Sequence, residues 1–278
     1  MDVENSLRTY GGVGTRRQIA RTRADRRAVT AAVAAGDVRD LGAGWLALPE
    51  AEEAVVVARR MGGAITCVSL ADVFGLPLLV PPDRPHIALP QRRGRRQVDM
   101  AMRVHGESRW VAPSPVGIPL APLAEAFARV LRCRPAEEAA VVVDAALRRR
   151  LVSPEQIRGA LLGPGSPAAL ATLERCSPRS RSAIETCARL ALEDAGLEVA
   201  AGVEIDGVGE VDLVVEGRIV VECDGFAYHS GRHEYREDRR RDRLLVQLGY
   251  LVLRFTWEEI TDDPRAVVAP VLNLLGRS

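Results

Sequence analysis

The sequence contains no lysine: all 38 of its basic residues are arginines. Any mechanism that needs a lysine ammonium is thereby excluded. Aromatic residues are scarce at 4%, so the core is expected to use the few there are, Phe255 and Trp257 among them. A charge excess of one sign is also missing, since 37 acidic residues leave a formal net charge of +1. A nucleic-acid partner must therefore announce itself through local clustering. The five cysteines, Cys67, Cys133, Cys176, Cys187 and Cys223, are odd in number, widely spaced and without a Cys-x-x-Cys pair. That pattern argues against a disulfide framework and a structural zinc site, so no zinc is expected. No run approaches the roughly 18 apolar residues that cross a bilayer, and residues 1–12 have no apolar stretch of signal-peptide length. A cytoplasmic protein without membrane contact is the expectation.

What is present is an ordinary globular composition, 47% apolar and 27% charged, over 278 residues. That length predicts two or three domains. The first is read over 1–49. Thr15 caps a short helix, a second runs from Ala24 to Ala35 and stops at Gly36, and strands at Val38–Leu41 and Trp45–Leu48 flank Gly42-Ala43-Gly44. This is the rhythm of a winged helix-turn-helix. Seven arginines against three acids in residues 1–30 make it locally basic, and Arg26 and Arg27 fall near the start of the recognition helix, where such a motif meets DNA. The plainer reading is an arginine-coated interaction domain.

Residues 50–165 read as a middle α+β domain, with helices at Ala51–Met61, Ala64–Phe74 and Pro135–Leu147 and another opened by Ser153-Pro154-Glu155. Strands are expected at His86–Leu89 and Met102–His105, with a basic loop, Arg92–Arg96, between them. No catalytic constellation is visible there; His86 and His105 read as isolated residues on strand surfaces. Gly163–Pro167 is the linker, and 166–278 the last domain. A helix over Arg181–Ala195, β-runs at 210–215 and 218–224, a charged helix over Arg232–Leu248, a buried strand at Leu251–Phe255 and a closing helix near Pro264–Leu275 predict an α/β sandwich. The fold class as a whole is α/β.

Chemistry concentrates in residues 210–225. Asp212, Glu222 and Asp224 interrupt valine-rich strands, where carboxylates are costly unless something pairs with them. Alternation puts Glu222 and Asp224 on one face and Cys223 on the other. A two-residue turn would pair 215 with 218 and place Asp212 on the wrong face. A three-residue loop, Val215-Glu216-Gly217, pairs 214 with 218 and places Asp212 beside Glu222; the glycine in third place favours it. Carboxylates converging there suit Mg²⁺ or Mn²⁺, ions that promote phosphodiester hydrolysis. Glu185, on the preceding helix, is a fourth candidate against the plain reading of an exposed glutamate.

These residues resemble the PD-(D/E)xK nuclease superfamily and, within it, the very-short-patch repair (Vsr) endonuclease branch. The matching segments are Val211-Asp212, Val221–His229, Asp238–Asp242 and Gly249–Trp257, and the resemblance spans roughly Ser177–Leu275. It implies a restriction-endonuclease-like α/β/α domain with Asp212 as principal metal ligand. Glu222 or the backbone carbonyl of Cys223 would supply another ligand, and His229 an acid/base. The superfamily's lysine position is Asp224 here, so His229 or an arginine must take over its work. The zinc ligands of Vsr-type enzymes are absent, and one of their duplex-wedging aromatics is Ala227, so mismatch specificity does not carry over. Arg232, Arg236, Arg239 or Arg240, and Arg243 recur at helical spacing, with Leu244, Leu245 and Leu248 toward the core. They form a basic ridge for a phosphate backbone, diluted by Glu234, Glu237, Asp238 and Asp242. Arg254 is expected to pair with a carboxylate.

Gly12–Pro49 and the Ser153-Pro154-Glu155 helix are similar to the front half of abortive-infection antitoxin-type proteins, which implies DNA binding. Two functions follow. One is a metal-dependent DNA endonuclease of repair or defence, acting on duplex DNA, with mismatched or branched forms open as substrates; the other is a non-catalytic DNA-binding regulator on a degenerate nuclease fold. A nuclease for RNA is a third reading that no residue excludes.

Overall fold

The computed structural model describes residues 2–91, 102–163, 165–224 and 232–277, the stretch 232–238 as backbone only. The chain forms two compact units, one built from 1–75, 80–133 and 159–161, the other from 76–79, 134–158 and 162–278. Among the described residues no helix is long and apolar enough to cross a membrane.

The first unit opens with α1 (Val3–Arg8), β1 (Val13–Thr15), α2 (Arg16–Ile19), α3 (Arg23–Ala35), β2 (Arg39–Gly42) and β3 (Trp45–Ala47). Thr15 and Thr22 begin α2 and α3 through reciprocal capping boxes, and Gly36 ends α3 at φ 83°. The strands form an antiparallel sheet in the order β1-β3-β2. Leu7, Ile19, Val29, Val38 and Leu46 fill the space between sheet and helices. Arg23, Arg26, Arg27 and Thr30 line the opposite, exposed side of α3.

Next come α4 (Glu53–Met61), β4 (Ala64–Ile65), α5 (Cys67–Val73), β5 (His86–Pro90), β6 (Arg103–Glu107) and α6 (Leu123–Cys133). β4 runs antiparallel and β6 parallel to β5. The helix expected over Ala64–Phe74 is thus divided: its first residues pair as a strand, and Cys67 turns the chain at φ 55°. The basic loop Arg92–Arg96 lies outside the described residues.

Helices α7 (Ala136–Arg148), α8 (Pro154–Ala160), α9 (Ser166–Glu174) and α10 (Ala183–Asp194) follow, so the expected linker leads directly into a helix. The second unit then adds β7 (Val199–Ile205), β8 (Gly209–Val215), β9 (Ile219–Asp224), α11 (Arg232–Gln247), β10 (Leu251–Thr256), α12 (Trp257–Asp262) and α13 (Val268–Leu275). Its sheet has the order β10-β9-β8-β7, with β10 parallel to β9 and the other pairs antiparallel. On one face Ile184, Cys187, Ala188 and Leu192 of α10 pack with Leu213, Val215, Val221 and Phe255. On the other, Leu245 of α11 packs with Val211, Val214 and Val220. This is the expected helix–sheet–helix sandwich, with two corrections. β10 is an edge strand whose one buried residue is Phe255, because among the described residues nothing pairs beyond it; and Leu248 is exposed, one residue past the end of α11.

A buried ion pair ties α7 to α10. Asp144 and Arg189, 1% and 3% exposed, meet at 2.9 Å. Asp144 also accepts from the Ser177 amide (2.7 Å) and the Thr186 hydroxyl (2.9 Å), and Arg189 donates to the Arg175 carbonyl (2.7 Å) and Glu193 (2.8 Å). Burial pushes the Asp144 carboxyl up, and Arg189 and these hydrogen bonds oppose it. The network fixes the segment 175–180 that leads into α10. Removing one member leaves the other charged and unpaired in the interior. Arg189→Met is therefore expected to destabilise this unit by about 3–5 kcal/mol, and the Asp144→Leu/Arg189→Met pair by less than the single change, as read from urea unfolding curves.

Candidate active site

The β8–β9 hairpin differs from both expected registers. Glu216 and Gly217 both take positive φ (48° and 65°), Arg218 N–H returns to Val215 O (3.1 Å), and the first pair is Val215↔Ile219. The loop has three residues, but they are 216–218, one position later than expected. Regular pairing with β9 runs only to Leu213↔Val221. Beyond it side chains replace the ladder: Asp212 N–H donates to Glu222 Oε2 (3.3 Å), and Cys223 N–H donates to Asp212 Oδ2 (2.8 Å).

Strict alternation also fails here. Val211 packs on the α11 face but Leu213 on the α10 face, and across the ladder Val203 and Ala201 divide in the same way. The switch falls at Asp212 and at Gly202, which lies between those paired neighbours and takes φ 58°. A Cβ at Gly202 would come within 2.9 Å of the Arg179 carbonyl oxygen and of Glu210. Glycine there allows both the left-handed backbone and the close approach of the segment before α10. The three carboxylates therefore do not share one face. Asp212 turns toward α10, whereas Glu222 turns toward α11, and they meet at the edge between.

Ser182 caps α10 by accepting from the Glu185 amide (3.3 Å), and Glu185 in return accepts from the Ser182 hydroxyl (3.0 Å) and the Arg181 amide (2.7 Å). The cap holds a glutamate only 4% exposed, beside Asp212 at 6%, so the plain reading of Glu185 as exposed is corrected. Arg181 donates to Asp212 Oδ1 in a short charge-assisted bond and reaches Glu210 at 3.4 Å. Arg241 reaches Glu222 Oε1 at 3.5 Å and donates to the Glu210 carbonyl (2.9 Å). Two arginines therefore stand against three buried acids. The imbalance shows in proton affinity: burial, then the Asp212 charge, pushes Glu222 up to about 7, and the same two causes raise Glu185. An open cleft of about 620 Å³ runs along the α10 side, lined by Arg181, Ser182, Glu185, Asp212, Cys223 and Trp257, among others.

The remaining candidates separate. Asp224 faces Arg254 (3.8 Å), which also binds Asp242 (2.6 Å), so Arg254 does pair with carboxylates. His229 lies outside the described residues, as do the side chains of Arg232 and Arg236. Arg239, Arg240 and Arg243 are exposed on α11, and Arg240 donates to the Gly207 carbonyl (3.0 Å). Arg181 and Arg241, the cations that touch the acids, are invisible to periodicity because neither belongs to a repeat.

A further correction concerns His86 and His105, which are neither isolated nor on a surface. They are 4% and 7% exposed and face each other, His105 Nε2 to His86 Nδ1 at 3.1 Å, with Cys67 and Cys133 beside them. Among the described residues this is the set of three or more His, Cys, Asp or Glu ligand atoms lying within 4.8 Å of one another; the acids around Asp212, divided by arginines, do not converge so closely.

No curated protein matches the chain. A family model described as REase_MTES_1575 matches residues 185–275, from Glu185 to the last residue of α13 and including Asp212, Glu222 and Asp224. The C-terminal part of the chain thus carries a restriction-endonuclease-like domain.

Proposed function

We propose that this domain hydrolyses phosphodiester bonds of DNA with Mg²⁺ or Mn²⁺, in repair or defence. The observation that carries the reading is the meeting of Asp212 and Glu222 where β8 parts from β9, with Glu185 buried alongside. Buried acids are costly in a sheet, and burial, then the Asp212 charge, raises both Glu222 and Glu185. The donor set fits a hard dication: Asp212, Glu222 and the Cys223 carbonyl would hold it, with Glu185 beside them. Once bound, such an ion polarises a phosphoryl oxygen and supplies hydroxide at neutral pH.

The chain's own residues then have distinct work. Asp212, fixed by the Cys223 amide and Arg181, presents its carboxylate in a set direction. Glu185 anchors the start of α10 against it. Arg241 and Arg254 stand near Glu222 and Asp224, where the family's lysine would serve. A guanidinium stays protonated, so these arginines stabilise developing charge and do not remove a proton. His229 is the proposed proton carrier, and Arg232, Arg236, Arg239, Arg240 and Arg243 the phosphate contacts. In the first unit, three helices on a small antiparallel sheet, with Arg26 and Arg27 exposed on α3, support a winged-helix reading in which α3 meets DNA. The competing reading, a DNA-binding regulator without catalysis, draws on one observation: Arg181 already neutralises Asp212.

Supercoiled plasmid with Mn²⁺ separates the two. Nicking is expected in the wild type and should fall at least about 100-fold in Asp212→Ala, with circular dichroism unchanged; cutting that survives this change removes Asp212 from the site. Proton and metal compete for Glu222. Because its folded pKa lies above the usual 4.5, the metal-free protein should lose stability as pH rises from about 4.5 through about 7, on the order of 3 kcal/mol. Glu222→Gln should flatten that segment in urea titrations. For the front unit, Arg26→Ala/Arg27→Ala should weaken duplex binding and lower the salt slope by about 2, measured by fluorescence anisotropy across salt concentrations.

A further inference from the structure

Cys67, His86, His105 and Cys133 are separated by 19, 19 and 28 positions, and the fold of the first unit collects them. Cys67 opens α5, His86 opens β5, His105 lies in β6, and Cys133 ends α6. Parallel pairing sets His105 against Ala88, two residues beyond His86, so both imidazoles project from one face of the sheet. His105 Nε2 is 3.1 Å and Cys133 Sγ 3.9 Å from His86 Nδ1, and one ligand atom from each of the four lies within 4.8 Å of the others.

We propose that these four side chains hold one divalent ion of the zinc class in a closed, structural site. Bonds of about 2.0–2.1 Å to nitrogen and about 2.3 Å to sulfur, directed to the corners of a tetrahedron, separate two nitrogens by about 3.3 Å and a nitrogen from a sulfur by about 3.6 Å. The observed 3.1 and 3.9 Å lie close to both edges. Two thiolates and two imidazoles select a borderline-soft ion over Mg²⁺ or Mn²⁺. Four protein ligands leave no open position, so the role is to clasp and not to catalyse.

The local backbone supports a ligand role for Cys67. It sits at φ 55°, a region that residues with a Cβ seldom adopt, at the first position of a helix. The preceding Thr66 makes no side-chain cap, and its buried hydroxyl has no partner among the described residues. A turn that neither glycine nor a cap favours is kept where another interaction offsets it. A bound ion would join the start of α5 and the end of α6 to the β5–β6 pair.

The test uses the full chain, purified without chelator and analysed for metal. About one zinc per chain is expected. Cobalt substitution should give the thiolate-to-cobalt charge-transfer band and the intense visible bands of a tetrahedral site. Cys67→Ser/Cys133→Ser should lose the zinc, while Cys176→Ser/Cys187→Ser and Asp212→Ala keep it. Because the first pair of changes disturbs a buried cluster, the wild-type stoichiometry and cobalt spectrum decide independently of any variant. Reduced wild type that fails to take up one equivalent of Zn²⁺, or a cobalt spectrum without thiolate charge transfer, overturns the proposal. So does a thiol count showing Cys67 and Cys133 joined as a disulfide in the purified protein.

Discussion

The second unit depends on one exchange: where β8 leaves β9, the Cys223 amide donates to the Asp212 carboxylate and the Asp212 amide donates to Glu222. Buried backbone amides must find acceptors, and here acidic side chains supply them in place of carbonyls. That solves the hydrogen-bond problem and creates an electrostatic one, since it sets two carboxylates close together in a poorly solvated place. Nearby features serve to contain the second problem. Gly202 lets the segment before α10 come close, Ser182 fixes Glu185, and the Asp144–Arg189 pair holds the approach to α10, from which Arg181 reaches Asp212.

The absence of lysine shapes how this is done. A guanidinium offers five donors in a plane and engages several acceptors at once. Arg181 touches Asp212 and Glu210, Arg241 touches Glu222 and the Glu210 carbonyl, and Arg189 joins Asp144, Glu193 and the Arg175 carbonyl. Each arginine thus balances charge and also binds separate elements. None can act as a base near neutral pH. Burial and the Asp212 charge hold Glu222 up to about 7, and Asp224 faces Arg254.

Features written in a few neighbouring residues are legible in the sequence alone. Thr15, Ser153 and Gly36 mark helix ends by local capping chemistry, and the charged helix ahead of β10 shows in its periodicity. β1 and β7 are not legible, the one having three residues and the other polar and small ones, so both take their strand state from a partner. α6 is absent from the expected elements although it is strongly amphipathic. The acids stand out because carboxylates in valine-rich strands violate a local rule. Their orientation does not, because simple alternation assumes an unbroken pleat while Gly202 and Asp212 switch faces together across two strands. The Cys/His cluster lies hidden for a related reason: ligand spacing signals a site only when the ligands share a turn or a hairpin, and these four come from two helices and two strands.

Donor chemistry keeps the two clusters from being alternatives for one ion. Around Asp212 the donors are oxygens, and Arg181 touches Asp212 while Arg241 reaches Glu222; under the proposed function a small hard cation would displace or join a guanidinium there. Around His86 the ligands are nitrogen and sulfur, with two of their separations close to the edges of a tetrahedral site. A zinc-class ion gains most from the second set, and Mg²⁺ gains almost nothing there. The surroundings differ as well: Cys67, His86 and His105 are buried and Cys133 half-buried, whereas Glu185 and Asp212 line an open cleft.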